Sequence, residues 1–244
     1  MPGAPGAPAR RGAVELLRLD RLDEPANEPA IEASDGALSG ASGEPANEAL
    51  AGASDEPQGG AAVEGTGEAT GEAPTGADAR IARITRVRAE VLGLRLAPGQ
   101  GRFVDPPVAT LPKADADPGQ VPFAVLVDGE TAGFGILNRS VPSGTGIVPG
   151  DGSSLTAAPE RAVMLRSFLI EVRWQGEGVA RRACRLLPPL AREAVPEAEE
   201  ILATVKAANP AGYRAYIAGG FEDTGRRYLG ADAGVQHVLS MPLT

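Results

Sequence analysis

The fold is decided by one stretch, which reads Arg161-Ala-Val-Met-Leu-Arg-Ser-Phe-Leu-Ile-Glu-Val-Arg-Trp-Gln-Gly-Glu-Gly-Val-Ala180. Residues 161–172 are rich in aliphatic and aromatic side chains, which predicts the strongest strand of the chain. A helix is predicted to follow the two glycines, Gly176 and Gly178, and to continue to about residue 193. Such a turn between strand and helix exposes backbone N–H groups that, with the helix dipole, bind phosphate. A Gly-x-Gly turn alone is equally compatible with an ordinary helix start.

The rest of the chain predicts an alternation of strands and helices. A helix is predicted over 79–96, because large aliphatic residues there recur every three or four positions and so share one face: Ile81, Ile84, Val87, Val91 and Leu94. Strands are predicted at 121–127, 131–137, 201–206 and 235–241, and a short helix at 210–218. Asp128-Gly129 predicts a hairpin turn, and Pro188-Pro189 predicts a bend in the helix after the glycine turn. This order predicts a mixed α/β or α+β domain of three layers.

The charge and the large side chains divide the chain into two regions. Residues 1–80 hold 5 basic and 15 acidic side chains, whereas residues 81–244 hold 18 basic and 17 acidic ones. Aromatic residues begin only at Phe103. The sequence therefore predicts a low-complexity, acidic and mostly disordered region over 1–78 and a globular domain over 79–244.

Two segments are candidates for the first strand of the domain. Residues 13–19 carry Val14, Leu16, Leu17 and Leu19 and are the best candidate for it. In that case the segment 25–78 is a long insertion rather than part of a tail. The alternative places the strand at 81–87, although the apolar spacing there is helical. We favour the insertion.

Composition also excludes several classes of protein. The nearly neutral region 81–244 lacks the excess of cations that a nucleic-acid binder needs. Charges interrupt every apolar run before it reaches the roughly 20 residues of a membrane span, so we expect no membrane partner. Cys184 is the only cysteine, which excludes an intramolecular disulfide and fits a reducing compartment. We expect a cytoplasmic location, because residues 1–11 lack the apolar stretch of a signal peptide after their basic pair. The ligand clusters of a metal site are missing.

Two motifs resemble those of a known superfamily. Asn209-Pro-Ala-Gly-Tyr-Arg-Ala-Tyr-Ile-Ala-Gly-Gly-Phe221 resembles the Asn-x-x-Ala-x-x-x-Tyr-x-x-x-Gly-Phe pattern of the GCN5-related N-acetyltransferase (GNAT) superfamily. Residues 175–180 resemble its Gln/Arg-x-x-Gly-x-Gly/Ala pattern, at the expected distance upstream. Residues 94–104, 122–123, 128–134, 166–171 and 174–175 are similar to the diamine and spermidine/spermine N-acetyltransferase branch.

The resemblance implies a three-layer αβα fold with a central, mixed and splayed β-sheet that binds acetyl-CoA as co-substrate. The cofactor-binding residues that it implies are Phe168, Leu169 and Ile170 for the pantetheine arm, Gln175, Gly176, Glu177, Gly178, Val179, Ala180 and Arg181 for the pyrophosphate, and Asn209. Tyr216 matches the general acid of the family. Glu171, at the end of the splayed strand, is our candidate base, and a solvated carboxylate without a catalytic role is the alternative.

The implied activity is an N-acetyltransferase, in which an amine attacks the thioester directly in a ternary complex. We expect a small-molecule amine as acceptor, with a polyamine first among the candidates, and a homodimer is compatible with the sequence. The alternatives are a protein N-terminus, a lysine, an antibiotic amine, or a catalytically idle protein that binds CoA as a regulator. Glu177 places a negative charge beside the pyrophosphate, which Arg181 and Arg182 are expected to offset. Gly212 and Gly219 replace larger residues of the family and predict a loosened last helix.

Overall fold

The computed structural model describes residues 12–20, 76–141, 155–230 and 234–243. The strands are β1 (Val14–Arg18), β2 (Gln120–Val127), β3 (Glu130–Asn138), β4 (Ala162–Ile170), β5 (Glu200–Lys206), β6 (Glu222–Gly230) and β7 (Gly234–Pro242). The helices are α1 (Gly76–Leu92), α2 (Pro107–Asp115), α3 (Val179–Arg185), α4 (Leu187–Ala194) and α5 (Pro210–Ala218). Short 3-10 turns lie at Gln100–Arg102, Pro159–Arg161 and Val172–Trp174.

The strands form one mixed sheet in the order β1-β2-β3-β4-β5-β7-β6. Each neighbouring pair is antiparallel except β4 and β5, which are parallel. The strand predicted at 13–19 is β1, which pairs with β2 from Val14 opposite Val127. The predicted disorder of 1–78 concerns residues that lie mostly outside the described ones, and so does most of the loop predicted at 140–159.

Helices cover both faces of the sheet, as the three-layer prediction requires. On one face, α1 and α2 bury Ile84, Val87 and Leu111 against β2 and β3. On the other face, α3 and α4 bury a second and larger cluster that includes Cys184 and Leu187. The predicted face of α1 is correct except at Ile81, which is 41% exposed.

Two elements were not predicted, and the sequence explains why. Helix α2 lies in a proline-rich stretch, but Pro107 stands at its first turn, where a missing N–H has no cost. Strand β6 is mainly polar and contains Gly225, and it lies at the edge of the sheet, where it pairs only with β7. The predicted bent helix is two helices, α3 and α4, that meet at Leu186.

Candidate functional site

The central feature of the site is a gap between β4 and β5. The two strands pair only from Ala162 opposite Glu200 to Leu165 opposite Ala203. Beyond that point, residues 166–170 of β4 and 204–206 of β5 no longer pair with each other. The backbone edge of β4 that would bond to β5 is therefore open to another molecule.

A bulge in β4 begins where the strands separate. Ile136 of β3 pairs with Arg166, but Phe134 pairs with Leu169, so that β4 has an extra residue in this interval. Ser167 takes a positive φ of 50° there, which is uncommon for a residue other than glycine. Such a bulge bends its strand, and here it turns the end of β4 away from β5.

A cavity of about 720 Å³ occupies the gap. It is lined by β4, by the glycine turn, by the first turns of α3 and α5, and by the segment between α1 and α2. Its lining residues are Leu96, Gln100, Phe103, Val104, Phe168, Leu169, Ile170, Trp174, Gln175, Gly176, Glu177, Gly178, Val179, Ala180, Arg181, Asn209, Ala211, Gly212, Arg214, Ala215 and Tyr216. All the cofactor-binding residues predicted from the sequence are in this set.

The glycine turn presents backbone donors to the cavity. Gly176 and Gly178 have φ values of 83° and 70°, which residues with a Cβ rarely adopt. Gly178 is the N-cap of α3, and its carbonyl accepts from the N–H of Arg182 at 3.1 Å. The N–H groups of 179–181 precede this first helical bond and have no acceptor within the helix. They are donors for an anion at this end of the cavity.

The directions of the backbone N–H and C=O groups at the open edge of β4 follow from the hydrogen bonds around it. The N–H of Glu171 donates to the Ala132 carbonyl of β3 at 2.9 Å. Successive N–H groups of a strand point to opposite sides, so the N–H of Ile170 points away from β3 and into the gap. The carbonyl of Ile170 accepts a hydrogen bond from Gln175 Nε2 at 2.8 Å.

Gln175 has a structural function beyond the predicted contact with the cofactor. Its Nε2 donates to Gln100 Oε1 at 2.9 Å, and Gln100 Nε2 donates back to Gln175 Oε1 at 3.0 Å. Gln100 Oε1 also accepts from the N–H of Ala97 at 3.1 Å. This amide pair ties the segment between α1 and α2 to the end of β4 and holds one wall of the cavity in place.

Tyr216 lies on the opposite wall, on α5. Its ring contacts Phe168 of β4, with the centroids 5.9 Å apart, and packs edge-on against Phe221 at 5.4 Å. Burial raises the pKa of its hydroxyl well above the ordinary value, and the nearby Cys184 thiol adds to this effect. The phenol therefore stays protonated at neutral pH.

Asn209 and the two glycines of α5 have clear structural roles. Asn209 is the N-cap of α5, and its Oδ1 accepts from the N–H of Gly212 at 3.0 Å. A Cβ on Gly212 would lie 2.5 Å from Asn209 Nδ2. A Cβ on Gly219 would lie 2.4 Å from the Cβ of Cys184 on α3. Gly219 therefore allows α5 to pack closely against α3, and the expected loosening of the helix stays a prediction.

Glu171, the predicted base, is placed away from the cavity that holds Tyr216. Its side chain is buried, with the residue 6% exposed, and its carboxylate is 2.5 Å from Arg173 Nε. It lines a separate cavity of about 400 Å³ together with Glu90, Thr131 and Arg173. The strand ends before Glu171, and its carboxylate lies on the α1 side of the sheet, so its role as the base stays a prediction.

The charges of the main cavity differ from those expected. Arg181 lines it, but Arg182 donates to the carbonyl of Gly12 beside β1 and does not. Arg214 of α5 also lines it, so the described lining has two arginines and one carboxylate, that of Glu177. Sequence analysis missed Arg214, although its position two residues before Tyr216 in the recognised motif was a usable signal.

Two further observations, on metal ligands and on membrane spans, are made of the described residues. Among the residues that the structure describes, no group of three or more His, Cys, Asp or Glu side chains is placed to hold a metal ion. None of the helices in that part is both long and apolar enough to span a membrane.

Comparison with known proteins gives matches among solved structures only. The sequence matches no protein-family model and no curated protein. AAC(6')-Ib in complex with paromomycin and acetyl-CoA is 18% identical, with 64% of this chain and 88% of that chain covered and a TM-score of 0.50. The aminoglycoside acetyltransferase AAC(6')-Ib with coenzyme A and kanamycin is 19% identical over 66% and 88% of the chains, with a TM-score of 0.45.

A third match is a spermidine N-acetyltransferase, the SpeG chimera from Vibrio cholerae and hSSAT. It is 15% identical over 55% of this chain and 74% of that chain, with a TM-score of 0.39. At these identities the matches concern the fold, and the first of them confirms the three-layer mixed sheet predicted from the sequence.

Proposed function

Because the chain has the fold of the GNAT acetyltransferases, we propose that it transfers the acetyl group of acetyl-CoA to a primary amine of a small molecule. One observation carries the proposal. The open edge of β4, the donors of the glycine turn and the hydroxyl-bearing ring of Tyr216 all line a single cavity.

The residues of the cavity suit acetyl-CoA. The open segment 166–170 is roughly 16 Å long at about 3.3 Å per residue. An extended chain with amide groups, such as the pantetheine arm, would bind this edge as an added strand does. The N–H groups of 179–181 and the guanidinium of Arg181 would hold the pyrophosphate at the outer end. Asn209, the N-cap of α5, and Arg214 of α5 line the same cavity.

Acetyl-CoA supplies an activated acetyl group, so that a C–N bond to the amine forms while the C–S bond of the thioester breaks. The N–H of Ile170 faces the gap and would stabilise the negative charge that develops on the acetyl oxygen. The protonated hydroxyl of Tyr216 would donate a proton to the leaving sulfur. Burial raises the pKa of the phenol, which is therefore in its acid form at neutral pH and gives up its proton only as negative charge develops on the leaving sulfur.

The proton lost by the amine needs a separate route. Glu171 is in another cavity, and Glu177, the one carboxylate among the described lining residues, is at the outer end by the glycine turn. We therefore propose that the amine reacts from its unprotonated form and that water takes the proton. The rate should then rise with pH until the amine is fully deprotonated.

Calorimetric titration with acetyl-CoA, followed by measurement of thiol release with a panel of amines, tests the proposal. Tyr216→Phe should lower kcat by about 10²-fold or more and change the dissociation constant of acetyl-CoA by no more than about twofold. Tyr228→Phe, a tyrosine of β6 outside the lining residues, is the matched control. Binding of acetyl-CoA without turnover of any amine would instead identify an idle CoA-binding protein, and full activity of Tyr216→Phe would remove this residue from the mechanism.

A further inference from the structure

The gap between β4 and β5 opens onto both faces of the sheet, and different elements pack on these two faces. The elements that we assign to acetyl-CoA, namely the glycine turn, α3 and α5, pack on the face that holds the larger core cluster. An acceptor that meets the thioester inside the gap must approach from the opposite face. On that face the buried residues form two separate clusters, one under α1 and α2 and one around Met164, Leu202 and Val238.

Arg166 lies between these two clusters. Residues alternate along β4, so that Leu165 faces the α3 side and Arg166 the opposite side, beside Ile136. It is exposed although it lies on a central strand whose four preceding residues are all buried. None of the ion pairs and side-chain hydrogen bonds between described residues involves Arg166. An exposed arginine in the middle of a sheet marks a surface that the described residues leave uncovered.

This arginine is at the inner end of the gap, next to the segment 168–170 where transfer would occur. It follows directly after Leu165, the last residue of β4 that pairs with β5. It precedes Phe168, the neighbour of the Tyr216 ring, by two residues, with the bulged Ser167 between them. The acceptor amine would therefore react within reach of a guanidinium group.

A second cation borders the same opening. Leu202 faces this side of the sheet, and by alternation Thr204 and Lys206 of β5 do too. Lys206 Nζ donates to the carbonyl of Arg102 in the 3-10 turn, so its charge lies at the rim of the gap. Glu200, the acidic residue on this face of β5, is at the far end of the strand and accepts hydrogen bonds from Thr156 and Ser240.

We propose that the acceptor is a primary amine that also carries a carboxylate, and that Arg166 binds this carboxylate on the face of the sheet opposite the cofactor. The inference rests on the proposed acetyl transfer and specifies its substrate class. A guanidinium presents paired donors that match the two oxygens of a carboxylate. A polyamine, whose charges are all positive, would be repelled by the cations at this opening.

The test uses amines that differ only in the group at the far end of the chain. The first series is δ-aminovalerate, pentylamine and cadaverine, and the second is β-alanine, propylamine and diaminopropane. For each amine, kcat/KM is measured by thiol release. The affinities of the amines that end in a methyl group or a carboxylate are measured by calorimetry. Arg166→Gln and Arg166→Lys are compared with Arg139→Gln, an exposed arginine just after the end of β3.

In at least one series, the amine with a carboxylate at its far end should have a kcat/KM and an affinity about tenfold higher than the amine that ends in a methyl group. This is the difference expected for a hydrogen-bonded charge pair. Arg166→Gln should bring this ratio close to one, Arg166→Lys should retain part of it, and Arg139→Gln should leave it unchanged. Preference for the diamine, or an unchanged ratio in Arg166→Gln, would overturn the inference while leaving acetyl transfer intact. Absence of turnover with every amine, despite binding of acetyl-CoA, would refute the proposed function and the inference together.

Discussion

Replacement of Gly219 by alanine tests how α5, and with it Tyr216, is held against the rest of the protein. The new Cβ would lie 2.4 Å from the Cβ of Cys184 and 3.1 Å from the carbonyl oxygen of Ala215. Carbon atoms in contact are normally about 3.5–4.0 Å apart, so α5 must move away from α3 by about 1 Å or more. Cys184 is fully buried in the core and has no room to withdraw.

The magnitude follows from two opposing effects. Gly219 has an ordinary helical φ of −82°, so alanine would by itself stabilise the backbone by about 0.5–1 kcal/mol. Overpacking of a tight core contact costs about 1–3 kcal/mol. We therefore expect a net loss of about 1–2 kcal/mol, or a fall in Tm of roughly 2–8 °C for a domain of this size.

Urea unfolding and thermal melts of Gly219→Ala measure this loss, and acetyl-CoA titration reports any displacement of Tyr216. Gly76→Ala is the matched control, because a Cβ on Gly76 would have no atom within 4 Å. Cys184→Gly removes the opposing Cβ, so the double variant should be about 1 kcal/mol more stable than the two single effects predict together. A Gly219→Ala protein as stable as the unmodified chain would show that the close contact between α3 and α5 is not real.

The remaining predictions concern the cavity and the core. Glu177→Gln should tighten CoA binding about two- to fivefold at low salt, because it removes a negative charge from the cavity wall; calorimetry at low and high salt checks this, and weaker binding would contradict it. Gln100→Ala should raise the KM of the acceptor more than that of acetyl-CoA, because it releases the segment held by Gln175; equal effects on both KM values would contradict it. Burial raises the pKa of Cys184 from 9.0 to about 12. Between these values the unfolded chain loses the thiol proton while the folded chain keeps it, so the free energy of unfolding should fall as pH rises. Cys184→Ala should flatten this dependence in urea titrations, and an identical slope would refute the effect of burial.

Much of the candidate site was visible in the sequence because its chemistry depends on local features. Gly176 and Gly178 adopt positive φ values within a single turn, and residues 209–221 carry Asn209 and Tyr216 at fixed helical positions. Such requirements act on neighbours in the chain, so a short pattern records them. The placement of Glu171 could not be predicted, because it depends on the direction that the chain takes after β4 ends and on the ion pair with Arg173.

The sequence by itself determined the order of most strands and helices, the turn at Asp128-Gly129 and the glycine turn at Gly176 and Gly178. These follow from apolar spacing and from backbone conformations that only certain residues adopt. Only the tertiary structure decided that β4 separates from β5 after Leu165, that Gln100 bonds to Gln175, and that Arg166 is exposed on the face opposite α3. Each of these depends on contacts between segments that are distant in the chain, and the residues of one segment do not encode the position of another.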